Sequence, residues 1–161
     1  MAASICVVDL KAIRHTGEFI GEDWLYVFGV NGRRGTIRGN GKDRVYEEDK
    51  RPRWTLVTPS CDRLNLDITI RAVEQDLVVD DENPKVTRLH TKVVLCPGPD
   101  ATEPGKLLNQ TIQVPVTEDY GLFKGKTNQV AFDFDVMAYY HADIDSEDVP
   151  VEDSADEEVG T

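Results

Sequence analysis

The segment from Leu64 to Ala72 constrains the fold of this chain most strongly. Five apolar residues occupy alternate positions in it, and Asn65, Asp67, Thr69 and Arg71 lie between them. This period of two is typical of a strand that buries one face and exposes the other. The segment is therefore predicted to be a half-buried β-strand.

Strand-like patterns recur along most of the chain. Residues 24–30 are apolar on both faces, which predicts a central strand, and Asn31-Gly32 follows as a strong hairpin signal. No stretch of ten residues keeps a period of 3.6, so helices are not expected. The eight predicted strands are 5–13, 24–30, 33–38, 53–58, 64–73, 87–96, 110–116 and 129–140.

Short strands separated by turns favour an antiparallel eight-stranded β-sandwich, formed by residues 1–142 as one domain. The side chains on alternate positions of these strands are predicted to form the core. We expect these to be mostly buried: Trp24, Tyr26, Phe28, Leu66, Ile68, Ile70, Val93, Phe132 and Phe134.

The net charge of −12 is concentrated in residues 143–161. Without the nine acids of this segment, the chain has 21 acidic and 18 basic residues. The segment is predicted to be an acidic tail that either contacts a protein partner or remains a disordered solubiliser, because it has too few apolar residues to form a core. The nine acids are Asp143, Asp145, Glu147, Asp148, Glu152, Asp153, Asp156, Glu157 and Glu158.

Basic residues are sparse by comparison. Arg33, Arg34 and Arg38 form the main cluster, and Lys50-Arg51 follows later. A solvated hairpin accounts for them, and a nucleic-acid partner is not expected, because neutralising phosphates needs a clustered basic patch.

The cellular location is predicted from missing signals. Residues 1–6 lack the basic region and long apolar core of a signal peptide, and no apolar run approaches the ~18 residues of a membrane span. We expect a cytoplasmic or particle-associated protein. Cys6, Cys61 and Cys96 have no metal-like spacing, so reduced thiols are expected.

Carboxylates gather where the strand at 64–73 ends. Glu74, Asp76, Asp80, Asp81 and Glu82 fall within nine residues. Calcium takes six to eight oxygen ligands, so such a loop is a candidate calcium site. A solvated turn is the alternative, since Asp, Asn and Pro at 80–84 also favour a turn, and the twelve-residue EF-hand loop is absent.

The order of elements resembles a C2 domain, a sandwich whose end loops hold calcium. Gly21-Glu22-Asp23-Trp24-Leu25-Tyr26-Val27 is similar to the early C2 loop with its Asp-Pro-Tyr-Val. Glu74-x-Asp76 followed by Glu82 is similar to the later Asp-x-Asp loop with a third Asp six residues on. The resemblance implies a C2-like fold with Asp23, Glu74, Asp76 and Glu82 as calcium ligands.

The sequence contains no specific motif of a catalytic site. Asp133 and Asp135 could act with Glu74 or Asp76 as the paired carboxylates of a hydrolase. An exposed strand face explains the two aspartates more simply, and no nucleophile elbow or phosphate loop occurs. No catalytic residue or organic cofactor is therefore assigned.

These observations favour a non-enzymatic binding or assembly module. We expect an accessory or structural subunit of a larger complex, for example a viral or phage-like particle. Its partners are expected to be proteins, and the sequence is compatible with an oligomer. One alternative is a calcium-dependent domain that docks on proteins or membranes. The other is a hydrolase whose carboxylates assemble only in the folded chain.

Overall fold

The structure is a computed structural model that describes residues 3–18, 21–58, 63–75, 80–83, 86–94, 106–118 and 124–141. These residues form ten strands and one 3-10 helix, Glu48–Lys50. The strands are β1 (Ala3–Thr16), β2 (Trp24–Val30), β3 (Arg33–Gly39), β4 (Arg44–Val45), β5 (Arg53–Thr58), β6 (Arg63–Glu74), β7 (Asp81–Glu82), β8 (Thr87–Val94), β9 (Lys106–Thr117) and β10 (Thr127–His141).

The strands form two five-stranded antiparallel sheets. Sheet A has the order β4-β1-β10-β9, and β5 also pairs with β1, farther toward its start. Sheet B has the order β3-β2-β6-β7, and β8 also pairs with β6. The prediction of an all-β fold with two packed antiparallel sheets is therefore confirmed.

The hairpin between β2 and β3 follows from its turn residues. Asn31 and Gly32 have φ of +46° and +83°, values that Asn and Gly tolerate best, and Val30 pairs with Arg33. Strand β2 lies between β3 and β6, as its two apolar faces predict.

Aromatic rings join the two sheets at the centre of the core. The Phe28 ring from sheet B lies 5.7 Å from Trp54, 5.4 Å from Phe132 and 6.3 Å from Phe134, all in sheet A. Tyr26 meets Phe132 edge to face at 5.3 Å. Such tilted pairs contribute beyond the area that they bury.

The strand count differs from the prediction. Each of the eight predicted segments contains a strand, but the described residues form ten strands because Arg44–Val45 and Asp81–Glu82 add two short pairs. Two-residue pairs have no periodicity, so no pattern could reveal them. Of the nine side chains predicted to be buried, eight are buried, and the ninth, that of Val93, lies outside the described side chains. The acidic segment 143–161 also lies outside the described residues.

Two groups near the core, the buried Cys6 and the half-buried His15, have shifted pKa values. Cys6 is a free thiol whose pKa is raised to about 12 by burial. The ring of His15 lies 4.7 Å from that of Trp24, and its Nε2 hydrogen-bonds to the Tyr26 hydroxyl. Burial lowers the pKa of His15 from its ordinary value of 6.5 to about 4, so this ring is neutral in the folded chain at pH 7. Among the described residues, no helix is long and apolar enough to cross a membrane.

The aromatic layer gives a stability prediction. Phe132→Ala should lower the free energy of unfolding by about 3–5 kcal/mol, because it removes ring contacts from both Tyr26 and Phe28. Met137→Ala on the same strand should change it by less than about 0.5 kcal/mol, since Met137 is 37% exposed. Urea unfolding of both variants measures the difference. If the alanine variant does not fold, Phe132→Leu provides the comparison. Equal effects at the two positions would contradict this account of the core.

Candidate functional site

Three carboxylates meet at one end of the sandwich. Glu74 and Asp81 come from sheet B and Glu118 follows β9 of sheet A, and one oxygen from each lies within 4.8 Å of the others. Glu74 is 7% exposed, Asp81 1% and Glu118 9%. We call these three residues the end cluster.

Strand alternation brings the end cluster together. Glu74 continues the inward positions of Ile70 and Ala72, and it pairs with Asp81 of β7. Glu118 continues the inward positions of β9, and its backbone N–H donates to the Lys126 carbonyl at 2.9 Å. The inner face of each sheet therefore ends in an acid where the apolar core stops.

Neighbouring backbone holds these carboxylates in place. Trp24 donates its indole N–H to the Gly21 carbonyl at 2.9 Å. This places Gly21 so close to Glu74 that a Cβ there would come within 1.8 Å of Oε1. Asn83 accepts a hydrogen bond from the Ala72 N–H at 2.8 Å, which fixes the short strand β7 against β6.

A buried amide lies beside the end cluster. Asn128 is 1% exposed and pairs with Val116, two residues before Glu118 on the same inner face. Neither polar atom of its side chain has a hydrogen-bond partner among the described residues. Burying an amide without partners costs free energy, so a polar group that completes this end would stabilise it.

The three carboxylates of the end cluster repel one another strongly when ionised, because they are largely shielded from solvent. The pKa of Glu118 is raised to about 8. Burial is the largest cause, followed by hydrogen bonding to Asp81 and by the negative charges of Glu74 and Asp81. Two chemical states relieve this repulsion: a shared proton, or a bound cation coordinated by carboxylate and amide oxygens.

The structure brings together only part of the predicted ligand set. Glu74 and Asp81 are in the end cluster, whereas Glu82 points outward to Arg71, 2.6 Å away, and Asp23 lies 3.8 Å from Arg38. Asp80 is exposed, and Asp76 lies outside the described residues. The outward placement of Glu82 follows from its neighbour Asp81, because successive strand residues face opposite ways.

Glu118 was missed by the sequence analysis. Its signal was the alternation of Ile112, Val114 and Val116, whose next inward position is residue 118. The period predicts the direction of this side chain, but not that Glu74 and Asp81 of another sheet approach it.

The aspartates considered for hydrolysis lie elsewhere. Asp133 and Asp135 face outward from sheet A, where Arg14 pairs with Asp133, and Lys11 and Arg51 pair with Asp135. Glu74 faces inward from sheet B, so the structure does not bring these residues together.

A second polar feature crosses the outer face of sheet B. Arg34 of β3, Gly29 of β2, Thr69 of β6 and Arg88 of β8 lie in register across four strands. Gly29 has no side chain, and a groove of about 460 Å³ opens there, with Arg71 and Val86 also on its walls. We call this groove, with Arg34, Arg71 and Arg88, the arginine groove.

The three arginines of the groove differ in their partners. Arg71 pairs with Glu82 at 2.6 Å, and Arg88 pairs with Asp67 at 3.2 Å. Arg34 is exposed and has no ion pair or hydrogen bond among the residues that the structure describes. Beside it, Val86 is 53% exposed. The arginine groove thus offers charge and apolar surface together.

Comparison with protein-family models and with curated protein sequences gives no match for this chain.

The end cluster predicts an unusual pH dependence. Folded Glu118 keeps its proton to about pH 8, whereas the unfolded side chain loses it near 4.5, so the folded state binds more protons between these values. The free energy of unfolding should therefore fall as the pH rises through this window. Glu118→Gln should remove the decline and stabilise the protein at pH 8 by about 1–2 kcal/mol.

Urea unfolding between pH 7.5 and 8.5 is the appropriate measurement, because His15, with a pKa of about 4 in the folded and 6.5 in the unfolded chain, is then mostly neutral in both states. Glu82→Gln, an outward acid on the adjoining strand, is the matched control and should keep the decline. A decline of equal slope in the wild type and Glu118→Gln would show that Glu118 does not cause it.

Proposed function

We propose that this chain is a non-catalytic binding and assembly module, an accessory or structural subunit of a larger complex, that docks an anionic protein segment in the arginine groove. The exposed Arg34, in register with Arg88 across the sheet, is the observation that carries the proposal. A viral or phage-like particle is one assembly that such a subunit would suit.

The composition of the groove favours a peptide over a nucleic acid. Asp67 and Glu82 lie among the three arginines, so the excess of positive charge is small. A phosphate backbone needs a continuous basic surface and would be repelled by these carboxylates. An acidic peptide with interspersed apolar residues matches both Arg34 and the exposed Val86.

The finer architecture proposed is a C2-like sandwich. Its support is the common position of two loops at one end, since the Gln75 N–H donates to the Asp23 carbonyl at 2.7 Å. In a C2-like arrangement these loops would form the ligand-binding end of the domain.

Peptide binding tests the groove. A full-length variant whose nine tail acids are Asn or Gln should bind a labelled peptide of alternating Glu and Val, followed by fluorescence anisotropy at low salt. Adding Arg34→Gln should weaken binding about 2- to 5-fold, the effect of losing one exposed ion pair. Lys50→Gln, which removes an exposed cation beside Glu47, is the control and should leave the affinity unchanged. Absence of binding, or equal losses in both variants, would refute the groove as the docking surface.

A second candidate function is calcium-dependent docking on a protein or membrane. The convergence of Glu74, Asp81 and Glu118 within 4.8 Å is the specific observation that favours it. The side-chain amide of Asn128, which has no hydrogen-bond partner among the described residues, adds a neutral oxygen of the kind that calcium accepts. A bound cation would neutralise the carboxylates that otherwise raise the pKa of Glu118.

Calcium titration tests this second function. Millimolar calcium should raise the thermal midpoint of the wild type and release heat in calorimetry, and a free concentration of 100 times Kd would stabilise it by about 2.7 kcal/mol. Glu118→Gln should abolish both effects, and Glu82→Gln should preserve both. A midpoint that calcium and a chelator leave equally unchanged would refute the cation site.

A further inference from the structure

The arginine groove has an unbalanced charge. Arg71 and Arg88 each have a carboxylate partner, but Arg34 has none in the described part of the chain. All three guanidinium groups lie in exposed residues, so they are accessible to an added anion. The groove therefore lacks one negative partner at the position where β3 borders it.

The chain itself contains a segment of complementary charge. Strand β10 ends at His141, and the twenty residues that follow include nine acids and no lysine or arginine. Ile144, Val149 and Val151 are interspersed among the acids, and they suit the exposed Val86 and the neighbouring Val27 on the groove wall.

Topology places the groove between the end cluster and the level at which this segment starts. The contact of Glu118 with Glu74 puts the end of β9 and the end of β6 at one end of the sandwich. Strand β10 is antiparallel to β9, so His141 lies at the opposite end, and the Asn31-Gly32 turn lies part of the way toward it, beside Asp67 of β6. Arg33, just after that turn, donates to the Thr55 carbonyl of sheet A at 3.0 Å, and Thr55 is in register through Val7 with Met137, four residues before His141.

The remaining distance is short compared with the length of the segment. An extended chain spans about 3.3–3.6 Å per residue, so these residues reach roughly 65–70 Å. Packed sheets lie about 10 Å apart, the four residues from Met137 to His141 span about 13 Å, and Gly29 and Arg34 are only two residues from the turn. A tethered segment of this length has an effective concentration of about 1 mM near the groove, which exceeds that of free copies in dilute solution.

We propose that residues 143–161 dock in cis in the arginine groove of the same molecule. This inference rests on the proposed function, since it names an occupant of the same groove. The acids pair with Arg34 and compete with Asp67 and Glu82 for Arg88 and Arg71. A protein partner with an acidic segment must then displace this segment, which makes the groove available only to partners that bind it more tightly.

Peptide affinity in full-length proteins tests the inference. The labelled Glu-Val peptide should bind the variant with nine neutralised tail acids about 3- to 10-fold more tightly than the wild type, because the wild-type segment competes for the groove. The difference should shrink toward 1-fold as salt rises from 50 to 500 mM, since exposed charges are then screened over a shorter distance. In amide NMR spectra, the same neutralisation should shift Gly29, Arg34 and Thr69.

A matched pair of variants separates local docking from net charge. Replacing Asp156, Glu157 and Glu158 by Asn, Gln and Gln should strengthen peptide binding, whereas replacing Glu47, Glu48 and Asp49 by Gln, Gln and Asn should not. Both variants lose three acids, but the second set lies at the 3-10 helix, outside the groove lining.

Each outcome has a defined meaning. Equal peptide affinity in the wild type and the tail-neutralised variant would overturn docking by the segment and leave the proposed groove function intact. Absence of peptide binding in both proteins would refute the groove function, and unchanged groove amides would then also refute docking of the segment. A mass by light scattering that doubles with concentration and falls with salt would assign the segment to the groove of a second copy, overturning docking in cis.

Discussion

The contact of Phe28 with Trp54, Phe132 and Phe134 joins the two sheets and defines which face of each sheet points to the core. Successive residues of a strand face opposite ways, so an inward Phe28 requires an outward Gly29, and with it the low floor of the arginine groove. The same rule on sheet A turns Asp133 outward once Phe132 and Phe134 face the core. Because these aromatic rings face the core, the residues next to them on each strand face the solvent, and residues two positions away face inward.

The end cluster lies where this rule meets the limit of the core. The apolar positions Ala72 and Val116 are fully buried, and the next inward positions on their strands are Glu74 and Glu118. Burying carboxylates costs free energy unless a proton, a cation or a hydrogen-bond donor compensates. Acids at inward positions of an otherwise apolar pattern are expected at functional or strained sites. Here they occur near the Asn128 amide, which has no hydrogen-bond partner in the described part of the chain.

The sequence predicts the strands well and the sites only partly. Period-two patterns identify the inward faces of β6 and β10, and Asn31-Gly32 identifies one hairpin, because these signals are local. Glu74 and Asp81 can be selected from their density of charge. Glu118 cannot be grouped with them, since its approach depends on how two sheets stack. The arginine groove cannot be predicted from the sequence for the same reason. Arg34, Arg71 and Arg88 are far apart in sequence, and only strand pairing places them on one face.

The two sites are adjacent, and Arg71 connects them. Trp24 pairs with Glu74 at the end cluster, whereas Gly29 forms the floor of the groove five residues farther along β2, about 17 Å away at about 3.4 Å per residue. Arg71 of the groove, however, is only three residues from Glu74 on β6, and it pairs with Glu82, the neighbour of Asp81. An anion that competed with Glu82 for Arg71 would therefore change the charge beside the end cluster. The two ligands proposed for these sites would for this reason influence each other through Glu82, although they occupy different faces of sheet B.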